Sequence, residues 1–184
     1  MSKKVLVPFA DGFEDIEAVS IVDVLRRGGV EVVTASLNPE PWALSAHGIR
    51  LATDAVLMDV LEGEYDAIIL PGGGQGTQNL KKCLPLLQRL NRQKKDGKYV
   101  CAICAAPTVL VEADVIEDET VTCYPSCAVE MGRHIEDVPV IADGLVITGQ
   151  GPASATLFGL VILAHLVNEK TAHNVANGML ADFG

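Results

Sequence analysis

Short apolar runs alternate with amphipathic stretches along this chain, and that alternation limits the fold more than any other feature. Residues 4–9, 30–36, 67–70 and 99–103 are runs rich in Val, Ile, Leu and Ala. Between them lie segments of helical spacing. Residues 16–27 place apolar side chains at 18, 19, 21, 22 and 25, and Gly28-Gly29 closes the pattern. Residues 84–95, 105–112 and 152–167 read the same way, the last opened by Gly151-Pro152, and a short final helix is expected over 169–177. Strands exchanged with helices make βαβ units, which bury a parallel sheet between two helical layers. The expected fold class is therefore α/β, with a mostly parallel sheet, helices on both faces and a small edge hairpin over 42–53. Shorter strands are expected at 121–123, 138–142 and 145–148, with an Asp143-Gly144 turn between the last two. No internal repeat or linker interrupts the 184 residues, so the chain reads as one domain over 1–184.

Charge and composition remove several functions. Lys and Arg number 14 against 24 Asp and Glu, a net charge of −10, and aromatic residues are only 4%. Such a surface repels phosphate backbones and anionic lipid and has little to stack on bases, so neither nucleic acid nor membrane is an expected partner. The first apolar run is too short for a secretion signal, and 157–167 falls short of a membrane span, which makes a cytoplasmic protein the expectation. The five cysteines (Cys83, Cys101, Cys104, Cys123 and Cys127) are an odd count without an export signal, and are read as free thiols.

In a parallel sheet ligands bind beyond the carboxyl ends of the strands, so chemistry is expected in the loops after Phe9, Leu70 and Ile103. The loop after Ile103 is the most specific. A strand runs into Cys104, a helix is expected directly after it, and small residues (Ala102 and Ala106) flank the cysteine at two positions' distance. That is the form of a nucleophile elbow with Cys in place of Ser. A thiol near a helix N-terminus is expected to favour thiolate, and the Ala105 N–H would face an oxyanion. A buried structural cysteine is the competing reading. After Leu70, Pro71-Gly72-Gly73-Gly74-Gln75-Gly76 is neither a Walker loop nor a dinucleotide fingerprint, and Gly73 offers a second backbone donor. After Phe9, three acids open a helix. Glu14 and Asp15 suit a solvated cap, whereas Glu17, one turn in, is placed to hold or move a proton beside Cys104.

Five segments, in order and nearly spanning the chain, carry a family resemblance: Phe13-Glu14-Asp15-Ile16-Glu17-Ala18-Val19, Asp23-Val24-Leu25-Arg26-Arg27-Gly28-Gly29, Tyr65-Asp66-Ala67-Ile68-Ile69-Leu70-Pro71-Gly72-Gly73, Ala102-Ile103-Cys104-Ala105-Ala106-Pro107 and Thr148-Gly149-Gln150-Gly151-Pro152. Together they resemble the ThiJ/PfpI superfamily, in the branch that holds YajL and the Parkinson-disease protein deglycase. The resemblance implies a flavodoxin-like three-layer sandwich and a homodimer, with the nucleophile at Cys104, its proton partner at Glu17 and backbone donors at Gly73 and Ala105. It also implies that Arg27 reaches the partner subunit's site and that His47 lies at the mouth. Many members carry His before Pro in the loop after the next strand; here Tyr124 precedes Pro125. A Cys–His pair is missing at that place, which argues against peptidase chemistry and leaves Tyr124 as a hydrogen-bonding neighbour.

The implied activity is a cofactor-independent glyoxalase or deglycase acting on α-oxoaldehydes such as methylglyoxal, or on early-glycated proteins. The alternative is an oxidative-stress sensor and redox-regulated chaperone that works through oxidation of Cys104 without significant turnover. Cys101-x-x-Cys104 matches redox spacing but lies across a strand end. Cys123 and Cys127 could act as resolving thiols or take a soft metal, although no His is spaced to complete a metal site, and none is expected. Among the scattered histidines, His165 reads as a core residue, and His47, His134 and His173 carry no motif. Seven basic residues between Lys81 and Lys98 face a single acid, Asp96, and read as the solvated face of a helix.

Overall fold

Val5, Leu6, Val7 and Phe9 have no exposed surface because β1 (Lys4–Phe9) runs through the middle of a sheet covered on both sides. The computed structural model describes residues 2–133 and 135–183; His134 lies outside them. After β1 come α1 (Asp15–Arg27), β2 (Glu31–Ser36), β3 (Trp42–Leu44), β4 (Arg50–Ala52), β5 (Ala55–Val56), α2 (Leu57–Val60) and β6 (Ala67–Leu70). There follow α3 (Gly74–Lys81), α4 (Leu84–Lys95), β7 (Tyr99–Ile103), α5 (Pro107–Glu112) and α6 (Ala128–Met131). β8 (Val140–Asp143), β9 (Val146–Gly149), α7 (Ala155–Leu166) and α8 (Glu169–Met179) complete the chain. The main sheet has the order β5-β2-β1-β6-β7-β9-β8, parallel except for β8, which turns back on β9 through Gly144. This is the flavodoxin-like α/β architecture that the sequence led us to expect.

Side chains alternate across each strand and divide the interior into two cores. Phe9, Ile69, Cys101 and Ile103 point to the layer of α1, α7 and α8, where they meet Ile21, Leu25, Phe158 and Leu163. Leu6, Ile68, Leu70 and Val100 point the other way, onto Leu86 and Leu90 of α4 and Leu110 of α5. From β1 the chain first steps outward to β2 and later crosses back to β6 on the other side of β1. That reversal of strand order opens a crevice at the carboxyl ends of β1 and β6, the usual place for a ligand in an open α/β sheet.

Several local expectations change. The glycine-rich loop is shorter than it reads, because α3 starts inside it at Gly74. The helix after Cys104 begins at Pro107 rather than Ala105, since residues 104–106 are spent on the turn itself. Residues 121–123 form no strand; Thr122 instead bonds to the Thr148 hydroxyl (2.9 Å) and the Val138 carbonyl (2.9 Å). The hairpin is a separate two-stranded sheet of β3 and β4, tied to the start of α1 by a bridge between Phe13 and Ser45. The basic stretch is a solvated face only in part, since Lys82, Arg92 and Lys95 are exposed while the others are held against the protein. Arg89 is buried on the Leu61 and Gly63 carbonyls, Arg92 pairs with Glu62, Lys94 with Glu119, and Lys81 with Glu130.

Candidate active site

Cys104 sits where β7 ends, and its backbone is the distinctive element of the site. It is a non-glycine residue at φ 65°, a left-handed conformation that costs about 1–2 kcal/mol. The turn is pinned on both sides: the Cys104 N–H donates to the Gly149 carbonyl (2.9 Å), and the Cys104 carbonyl accepts from the Tyr124 N–H (2.8 Å). The Ala106 N–H donates back to the Ile103 carbonyl (3.0 Å), closing a tight turn before Pro107 starts α5. The side chain is thereby turned toward the crevice, with 8% of its surface exposed.

The loop after β6 forms the floor. Gly72 is where the two key side chains meet: a Cβ there would stand 2.8 Å from both Cys104 Cβ and Glu17 Oε2. Its N–H donates to Glu17 Oε2 at 2.7 Å. Gly73, at φ 94°, carries the chain under the first loop, and the N–H groups of Gly73 and Ala105 both act on the Cys104 sulfur. Glu14 caps α1 by accepting the Glu17 N–H (2.7 Å), and its own N–H donates to the Gly72 carbonyl (3.0 Å). Glu17 is therefore delivered in the first turn of α1, fully buried, from a loop stitched to the glycine turn.

Burial governs the protonation of both groups. It raises the Glu17 carboxyl from 4.5 to about 7, with the Gly72 N–H and the Cys104 thiol pulling the other way. Its second oxygen, Oε1, is buried without a hydrogen-bond partner. The Cys104 thiol is pushed up to about 12 by burial first and the Glu17 carboxylate second, against the N–H groups of Gly73 and Ala105. The expectation of a thiolate favoured by the helix end is thus reversed, because desolvation and a neighbouring carboxylate outweigh two backbone dipoles. The two groups behave as one acid pair. The first proton leaves near pH 7, and the next must leave beside a negative charge.

The other expected site residues are dispersed. Tyr124 is tied to Cys104 through its backbone, while its half-exposed ring lies against Gly151. That ring, with Pro125, Pro152 and Leu157, lines a hollow of about 590 Å³ that does not include Cys104. His47 is 2.7 Å from Asp15 at the start of α1 and mostly exposed, with its imidazole raised by the bond to Asp15. Glu14, Asp15 and His47 each bring one potential ligand atom within 4.8 Å of the others, but each is already engaged by the protein. Arg27 ends α1, ten residues and about 15 Å from Glu17 along the axis. It pairs with Asp23 (2.7 Å) and faces α8. Gly72 was not singled out from the sequence, although its place beside Gly73 in an unbroken glycine run was the available signal.

Residues 3–165 match the model of the DJ-1/PfpI family. The chain is 34% identical over 187 residues to protein DJ-1 homolog B of Arabidopsis thaliana; the match covers 97% of this chain and 42% of the plant protein, so the chain spans less than half of that relative. It is 38% identical over 175 residues to the glutathione-independent glyoxalase DJR-1.2 of Caenorhabditis elegans, covering 92% of this chain and 91% of that one. Among solved structures, oxidized DJ-1 of Toxoplasma gondii superposes with a TM-score of 0.94 at 34% identity, covering 98% of this chain and 99% of that one.

Proposed function

The chain belongs to the DJ-1/PfpI family, and on that premise we propose that it is a cofactor-independent, cysteine-dependent enzyme that converts α-oxoaldehydes such as methylglyoxal to hydroxy acids. The observation that carries the reading is the meeting of Cys104 and Glu17 across Gly72, with backbone donors aimed at the sulfur. Once the pair has lost one proton, the remaining proton sits on the sulfur, and the Glu17 carboxylate is the base placed to take it. Sulfur attacks the aldehyde carbon as the Glu17 carboxyl protonates the new alkoxide, giving a hemithioacetal. Glu17, again a carboxylate, takes the proton from the former aldehyde carbon and returns it to the neighbouring ketone carbon, leaving a thioester. Water then cleaves the thioester and restores the thiol, so methylglyoxal plus water becomes lactic acid. The Gly73 and Ala105 N–H groups support charge at the reacting centre. The glyoxalase name of the nematode relative accords with this chemistry, and early-glycated proteins present the same hemithioacetal problem on a larger substrate.

Purified protein is expected to form lactate from methylglyoxal without glutathione, and Cys104→Ser to lower the rate by at least about a hundredfold. Equal rates for the two proteins would remove the proposal. A second reading, a stress sensor acting through oxidation of Cys104, is favoured by the same donors, which would hold a sulfinate as they hold a hemithioacetal. The oxidized state of the Toxoplasma relative is in keeping with it. The two readings separate on turnover: a sensor consumes its thiol once, and an enzyme does not.

The reading includes a homodimer. Ile16 and Val19 on α1 are more than half exposed, and Leu44 and Ile49 of the hairpin region stand beside them through the Phe13–Ser45 bridge. Exposed apolar side chains on two joined segments are what an interface between copies would cover. Val19→Glu is expected to shift the sedimentation profile from dimer to monomer, and an unchanged profile would place any interface elsewhere.

A further inference from the structure

We propose that Cys123 and Cys127 form a second, separate thiol site that closes to an internal disulfide under mild peroxide. The two residues flank Tyr124-Pro125-Ser126 and converge on one atom. The Tyr124 carbonyl lies 3.4 Å from the Cys123 sulfur and accepts the Cys127 N–H at 2.8 Å. A single turn from Pro125 to Cys127 brings the second cysteine's backbone onto the same carbonyl that the first cysteine's sulfur approaches. Both side chains pack on the same core, between the sheet and α5, whereas Cys104 belongs to the opposite core, on the α1 and α7 side. This separation makes Cys123 and Cys127 partners for each other rather than resolving thiols for Cys104. The pair is reachable: Cys127 is partly exposed, and Cys123, though buried, borders an open hollow of about 240 Å³ lined by Pro125, Ala128, Ile135 and Gln150. Cys123 is also pushed up to about 11, by burial first and by the nearby Cys127 second.

The chemistry balances with peroxide as the oxidant. Cys127, the more open sulfur, attacks one peroxide oxygen; the O–O bond breaks, and a sulfenic acid and one water form. The Cys123 sulfur displaces the sulfenic hydroxyl as a second water and forms the S–S bond. Two electrons leave the thiol pair and reduce the peroxide. The site needs neither Glu17 nor turnover at Cys104, so it stands or falls independently of the proposed enzyme.

The test uses the full chain carrying Cys104→Ser, treated with hydrogen peroxide and digested after Asp and Glu. Cleavage beyond Glu119 and Glu130 releases 120–130, which contains only these two cysteines. That fragment is expected to lose about 2 Da, to resist alkylation, and to regain both properties with dithiothreitol. A fragment that gains oxygen without losing hydrogen, or one that stays reduced while the peroxide is consumed, overturns the proposal. Cys127→Ser in the same background is expected to abolish the loss. Because the fragment is also read in the protein without that change, the result does not depend on the variant folding.

Discussion

Glu17→Gln is expected to make the protein more stable above neutral pH and at least about a hundredfold slower with methylglyoxal. The two effects have one cause. Folding raises the Glu17 carboxyl from 4.5 to about 7, so the folded state favours the protonated acid. Stability from that preference is complete below pH 4.5 and is lost as pH rises through 7, by about 3 kcal/mol over the whole span. Glutamine has no proton to lose. It keeps an oxygen for the Gly72 N–H and places its amide at the orphaned Oε1 position. Urea unfolding at pH 5 and pH 8 checks the first half: the wild type should weaken between them relative to the variant, and parallel behaviour would mean the carboxyl is not held up by burial. Alkylation of Cys104 by iodoacetamide checks the second. The wild-type rate should rise through pH 7, as the pair gives up its first proton, and then level off. In the variant that rise should vanish, leaving the thiol to ionise alone at higher pH. A surviving rise near pH 7 would show that another group governs the sulfur.

The parts of this fold that were legible in the sequence are those with one dominant cause. Buried parallel strands must be apolar on both faces, which made β1, β6 and β7 plain. The strand-to-helix bend at Cys104 was readable because small neighbours on either side are what such a bend requires. What was not legible depended on competition between effects. The Cys104 thiol was expected to be acidic from the helix end alone; burial and the Glu17 carboxylate oppose it and win. The N-terminal half of α3 was hidden because Gly74 and Gly76 lower helix propensity, yet the helix starts there, where the loop after Phe9 comes close enough to leave no room for a larger residue at Gly76. Arg89 looked like one more surface cation, but two carbonyls at the end of α2 receive it in the interior. Residues 121–123 had strand composition, while the side-chain bonds of Thr122 hold them out of the sheet.

Gly73→Ala is expected to cost more than alanine at any other described glycine, and to dismantle the site as it does so. At φ 94° an alanine is strained by about 1–2 kcal/mol before any contact is counted. Its Cβ would then stand 2.3 Å from the Gly12 carbonyl oxygen and 2.7 Å from the Glu14 backbone nitrogen. Neither is the end of a flexible side chain, so the first loop itself must move, adding about 1–3 kcal/mol of overpacking. The sum, about 2–5 kcal/mol, corresponds to a fall in melting temperature of roughly 4–20 °C for a chain of this size. Gly48→Ala separates the two contributions. Gly48 has φ 81° but nothing within 4 Å of its Cβ position, so it should lose only the conformational part. The moving loop is the one that caps α1 through Glu14 and so places Glu17. Gly73→Ala should therefore also erase the rise of Cys104 alkylation near pH 7, while Gly48→Ala leaves it intact. If both variants melt alike, the close approach of the two loops does not set the position of the carboxyl, and the assembly of the pair must rest on the buried face of α1 instead.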